Sequence, residues 1–195
     1  DNESLVNLPN WLALTFRIDD GSWFDLDEVT LLSYTQRLDL RGAVLHREVR
    51  FRDDAGRSSS LRQRRFVAMH LPHVGALETT VVAEDWSGRI EFRSTVDGNV
   101  TNSLVERYRD LASEHLGSAV TREISNNSVL LTVRTNQSQI PVAMAARNTV
   151  LRDGETVPAT FQLFNLDAEI GHDIAVQLSA GESVTIEKVV TVYTG

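Results

Sequence analysis

The stretch Val44-Leu45-His46-Arg47-Glu48-Val49-Arg50-Phe51-Arg52, followed by the turn Asp53-Asp54-Ala55-Gly56, decides the fold. Leu45, Val49 and Phe51 share one face of this run, and His46, Glu48, Arg50 and Arg52 share the other. Side chains that alternate with period two belong to a half-buried β-strand. After the turn a second strand candidate runs from Ser58 to Leu71, so the pair reads as an antiparallel hairpin.

The same alternation recurs outward from this hairpin. Ile90, Phe92 and Val96 point one way in the run Arg89 to Val96. In the run Ser183 to Tyr193, Val184, Ile186, Val190 and Val192 oppose Thr185, Glu187 and Thr191. Valine, isoleucine and threonine are the residues β-structure favours. Turn signals separate the runs: Trp86-Ser87-Gly88, Asp97-Gly98-Asn99, Ser125-Asn126-Asn127, Arg152-Asp153-Gly154 and Ala180-Gly181. Strands spaced by turns, without a βαβ rhythm, predict an all-β fold, a large antiparallel two-sheet sandwich with at most a few short helices. The segment Ser103 to Leu116 departs from the pattern. Leu104, Tyr108, Leu111 and His115 fall at helical spacing, Ser103 and Glu106 fit a capping box, and Gly117 fits a stop. It reads as a short helix or a long ordered loop.

At 195 residues the chain is read as a single domain over its whole length. A chain of this size buries roughly 70% of its unfolded surface and needs no covalent staples. It has no cysteine, so disulfide and thiolate chemistry are excluded. Its formal net charge is -8, which repels phosphate backbones and anionic lipid, so neither nucleic acid nor membrane is expected as a partner. No apolar run approaches the roughly 18 residues of a membrane span. The sequence opens on Asp1 without an initiator methionine and reads as a piece of a longer polypeptide.

The candidate chemistry is sparse. The carboxylate pairs Asp19-Asp20, Asp53-Asp54 and Glu84-Asp85 each adjoin a glycine-containing turn. Adjacent residues of an extended chain point to opposite faces, so these pairs read as turn-forming acids and not as a catalytic dyad. His70 and His73 lack a third ligand for a catalytic metal, and His46, His115 and His172 stand alone, so no metal and no cofactor are expected. Arg62, Arg64 and Arg65 form a basic cluster in which Arg65 faces away from the other two, and it reads as a solvated face or as salt bridges between domains. Acyl-transfer and nucleotide-binding fingerprints are absent. Trp11, Trp23, Trp86 and Tyr108 are the candidate site residues, for a carbohydrate or for a domain interface. Among them, Trp11 and Trp23 are read as interface residues. Four sequons, at Asn2, Asn99, Asn126 and Asn136, leave secretion open, although a cytoplasmic location is expected.

Several stretches resemble the N-terminal domain of glycoside hydrolase family 65, which includes maltose, trehalose and kojibiose phosphorylases and related hydrolases. They are Leu5 to Trp11, Asp20 to Phe24, Gln36 to Arg47, Asp85 to Gly88, Val96 to Asn102, Ala180 to Val184 and Glu187-Lys188. The resemblance runs nearly end to end. It implies a galactose mutarotase-like super-sandwich packed on a catalytic (α/α)6 barrel that lies elsewhere in the polypeptide. It also implies an accessory role in assembly, an enzyme acting on an α-linked disaccharide by phosphorolysis or hydrolysis, and a homodimer as a further partner. None of the family's reacting residues matches a position of this chain. Two other readings stand beside it: an independent carbohydrate-binding module, which asks for exposed coplanar rings, and a self-sufficient sandwich hydrolase or lyase, which asks for converging carboxylates.

Overall fold

A computed structural model describes residues 6–102 and 113–195. All its regular structure is strand: β1 (Leu14–Ile18), β2 (Thr30–Asp39), β3 (Val44–Arg52), β4 (Ser58–Val67), β5 (Val74–Ala83), β6 (Gly88–Asp97), β7 (Val120–Ser125), β8 (Ser128–Arg134), β9 (Pro141–Arg152), β10 (Glu155–Thr156), β11 (Thr160–Leu166), β12 (Glu169–Leu178) and β13 (Ser183–Thr194). They form two antiparallel sheets. The small one has the order β1-β6-β12-β11, and the large one β2-β3-β4-β5-β13-β9-β8-β7, with β10 paired to β9.

The expected hairpin is β3 and β4, with Arg52 opposite Ser58. The strand expected to run to Leu71 ends at Val67, because Ala68 to Val74 closes a turn ahead of and across Pro72, with the Leu71 amide bonded to the Ala68 carbonyl. The expected helix lies mostly outside the described residues, and its last residue, Leu116, makes a β-bridge to Thr135.

The inward faces of the two sheets meet in two apolar clusters. One gathers Phe16, Phe51, Leu61, Val81, Phe92, Ile174 and Ile186, and the other Val96, Leu131, Met144, Ile170 and Val190. Alternate inward positions on four strands belong to neither. Between Ile186 and Val190 sits Lys188, between Val150 and Ala146 sits Asn148, between Phe92 and Val96 sits Ser94, and between Ile174 and Ile170 sits His172. All four are buried. Ser94 Oγ donates to Asn148 Oδ1 at 2.8 Å. Lys188 Nζ donates to the carbonyls of Ala13 (3.0 Å) and Thr95 (2.6 Å), tying the approach to β1 and the end of β6 to the large sheet. Burial away from water pulls its pKa from 10.5 down to about 7.

Four strands cannot cover eight. The large sheet therefore overhangs, and every residue of β2 except Asp39 is exposed. That overhang positions the surface described next.

Candidate domain interface

On the outer face of the small sheet, register puts opposite charges face to face. Arg17 lies opposite Glu91 in the β1–β6 pair, and Arg93 opposite Asp173 in the β6–β12 pair. Directly opposed charged pairs are the stabilising unit of such a sheet. Arg17 reaches Glu91 at 2.6 Å, Arg89 reaches it at 3.1 Å, and Arg93 grips Asp173 through two nitrogens at 2.8 Å. Aromatic rings cap the ladder. Trp23 lies 4.8 Å from the Arg17 guanidinium and 4.5 Å from that of Arg93, and Phe164 lies 4.1 Å from Arg93.

The overhang of the large sheet is different. Its inner face carries Tyr34 and Gln36 from β2, Leu45 and Arg47 from β3, Gln63 and Arg65 from β4 and Leu77 from β5. With Leu12 and Leu14 these line an open groove of about 380 Å³. Gln36 stands opposite Arg47, and Arg47 opposite Gln63. Arg47 donates to Gln63 Oε1 at 3.3 Å, Gln63 donates to Thr79 Oγ1 at 3.1 Å, and Tyr34 donates to Gln36 Oε1 at 2.9 Å. The Arg47 guanidinium also lies 5.7 Å from the Tyr34 ring. Its Nε is buried without an acceptor. Among the described residues no carboxylate lines the groove, and none pairs with Arg47 or Arg65. The sequence held a signal for this surface: Arg47 occupies an inward position between Leu45 and Val49, and Arg65 repeats the anomaly on β4.

The candidate aromatic residues fall in separate places. Trp11 is half-buried against the second apolar cluster, and its ring edge sits over Gly75, where an added Cβ would meet it at 3.1 Å. Its neighbours Leu8 and Leu12 are exposed, at 40% and 36%. Trp23 lies across the arginine ladder. Trp86 is a core residue, 6% exposed, whose Nε1 donates to Ser59 Oγ at 2.9 Å, so neither ring face is open to a sugar. Tyr108 lies outside the described residues.

The turn acids work as latches. Asp53 accepts from the Arg57 amide and side chain, and Arg57 also bridges to Asp19 at 2.9 Å, which fastens the β3–β4 turn to the end of β1. Glu84 binds Arg50 and the Ser60 hydroxyl, and Asp85 accepts from the Ser58 amide. The Arg50 guanidinium holds the Glu84 carboxyl below its usual range, and the Ser58 amide does the same for Asp85. A general acid for glycosidic cleavage needs the opposite shift. His172 is neither exposed nor hydrogen-bonded. Its ring meets Phe161 edge-on at 5.8 Å, its Nε2 lies 3.5 Å from Glu123, and burial lowers its pKa. His73 bonds the Val192 carbonyl and stacks on Tyr193. No group of three potential metal ligands converges among the described residues. Arg64 pairs with Glu78 on the outer face of the large sheet, whereas Arg65 enters the groove.

Comparison with known proteins gives this fold a family. An uncharacterised glycosyl hydrolase of Mycobacterium tuberculosis is 55% identical over all of this chain, which spans 14% of that protein's length. A kojibiose phosphorylase of Halothermothrix orenii is 26% identical over 98% of the chain, which spans 23% of it. An alpha,alpha-trehalose phosphorylase of Thermoanaerobacter brockii is 26% identical over 90% of the chain and is again spanned to 23%. Among solved structures, one described as a candidate kojibiose phosphorylase from human microbiome superposes with a TM-score of 0.81 at 17% identity, over 97% of this chain and 23% of that one. The chain thus covers about a quarter or less of the relatives it matches. The family model for the glycosyl hydrolase family 65 N-terminal domain matches residues 1–195, and the chain belongs to that family as its N-terminal domain.

Proposed function

We propose that this chain is the non-catalytic accessory domain of an enzyme that phosphorolyses or hydrolyses an α-linked disaccharide, and that it packs on the catalytic (α/α)6 barrel and aids its assembly. The observation that carries this reading is the share of length: the relatives named phosphorylases are spanned by the chain to only 23%. The chemistry of the described residues agrees with it. Of the turn carboxylates, Asp19, Asp53, Glu84 and Asp85 are engaged in ion pairs or amide contacts, and Glu84 and Asp85 are shifted away from the raised acid that glycosidic cleavage needs. The sugar-module reading gains less support, because Trp11 packs on Gly75, Trp23 lies against guanidinium groups and Trp86 is buried.

The test uses maltose, trehalose and kojibiose with and without inorganic phosphate. Residues 1–195 alone are expected to release neither glucose nor a sugar phosphate, and the full-length polypeptide to turn over at least one of the three. Turnover by residues 1–195 that a single substitution abolishes would refute the accessory role.

A further inference from the structure

We propose that the groove on the inner face of the large sheet receives a carboxylate-bearing segment of the polypeptide that follows residue 195. This rests on the reading of the chain as one domain of a longer enzyme and adds which surface is covered and by what chemistry. Three observations carry it. Among the described residues the groove holds two guanidinium groups and no acid, in a chain of net charge -8. Arginine with its fork of donors matches a carboxylate, and a half-buried Arg47 whose Nε lacks an acceptor is a donor set short of a partner. Apolar side chains beside these anchors stay exposed: Leu12 is 36% exposed, Tyr34 43% and Leu38 56%. Arginine and tyrosine are among the residues enriched where protein surfaces meet.

The path of the chain points the same way. β13 runs from Ser183, opposite Val82, to Thr191, opposite Val74, and leaves the sheet at the end where Leu77 and Arg65 stand opposite one another. A segment following residue 195 therefore starts at the groove's end of the sheet. A second copy of the chain fits less well, because a two-fold contact centred here would set Arg47 and Arg65 against themselves.

The experiment uses the full-length protein with a photo-crosslinking phenylalanine analogue at Gln36 in the groove, at Gln162 on the outer face of the small sheet, or at Arg62 on the outer face of the large one. Gln36 is expected to cross-link to a peptide downstream of residue 195 that contains Asp or Glu. The double variant R47E/R65E is expected to abolish that cross-link and to speed proteolytic separation of residues 1–195 from the remainder by roughly tenfold or more, as for one partner of a desolvated ion pair. R62E should change neither. A Gln36 cross-link to a second copy, or none at all, overturns the assignment. So does binding of glucose 1-phosphate by the wild-type protein that R47E/R65E removes, since it gives the groove to a small anion. If Gln162 reaches downstream peptides and Gln36 does not, the accessory-domain reading stands and the groove assignment falls. If no position reaches them, both fall.

Discussion

Two faces of this sandwich carry arginines, and they use them in opposite ways. On the small sheet each ladder arginine has a carboxylate opposite or beside it in register: Arg17 and Arg89 share Glu91, and Arg93 holds Asp173. In the groove of the large sheet, Arg47 and Arg65 meet glutamine, tyrosine and leucine. The residue type is the same, and the difference lies in what the neighbouring strand supplies. A face whose charges are answered within one domain is complete by itself. A face whose half-buried charges meet no carboxylate among the described residues carries a desolvation cost that a partner would relieve.

The largest expected effect comes from breaking the completed face. Glu91 is 5% exposed and serves two guanidinium groups. Glu91→Gln removes the counter-charge of two partly exposed guanidinium groups from a buried position, so urea denaturation should show a loss of about 2–3 kcal/mol. Asp173→Asn, at a more open pair, should cost about 1 kcal/mol. Losses below about 0.5 kcal/mol in both would mean that the ladder is an exposed surface feature, and the contrast with the groove would disappear.

A third cation sharpens the contrast, since Lys188 has no ion pair among the described residues and no solvent, feels Glu169 only at a distance, and rests on two carbonyls. Its pKa is about 7 in the fold and 10.5 as an ordinary lysine. Between those values the unfolded chain holds a proton that the native chain has released, so stability rises with pH across that window. Below pH 7 the native state must bury the charge, and the gain is gone. Comparison with Lys188→Met removes the contribution of all other groups. The wild type should gain about 2 kcal/mol on the variant between pH 7 and pH 9, at most about 1.4 kcal/mol per pH unit. A flat difference would mean that Lys188 stays protonated in the folded chain.

Much of this was legible in the sequence. The runs at Val44 to Arg52, Arg89 to Val96 and Ser183 to Tyr193 are strands because their alternation is dictated locally. The gaps in that alternation were legible too: Ser94 and Lys188 fall where an inward apolar residue is due, and both line the polar layer of the core. What the sequence could not show is which strands meet. Lys188 finds its acceptors at Ala13 and Thr95, and Arg93 finds Asp173 through the pairing of β6 with β12, across 80 residues. For the same reason the groove was missed. Arg47 and Arg65 each interrupt an inward apolar face of their own strand, and become a site only when β2 to β5 align them on an overhang that the smaller sheet does not cover.

The smallest expected effect is the one most specific to the groove. Arg65 is half-buried and has no carboxylate partner among the described residues, so Arg65→Ala in residues 1–195 removes the contact of its aliphatic stem with the groove wall. It also removes one of two like charges on the same face. The two changes oppose each other, and the variant should denature within about 0.5 kcal/mol of the wild type. Arg93→Ala makes the internal control, because it strands Asp173 and uncovers Trp23 and Phe164, and it should cost several times more. In the full-length polypeptide the order is expected to change. If an acidic segment fills the groove, Arg65→Ala then leaves a buried carboxylate unpaired, and its cost should rise to about 2 kcal/mol or more. The same substitution therefore measures the groove twice, once open and once filled, and equal costs in the two settings would show that nothing in the longer chain answers Arg65.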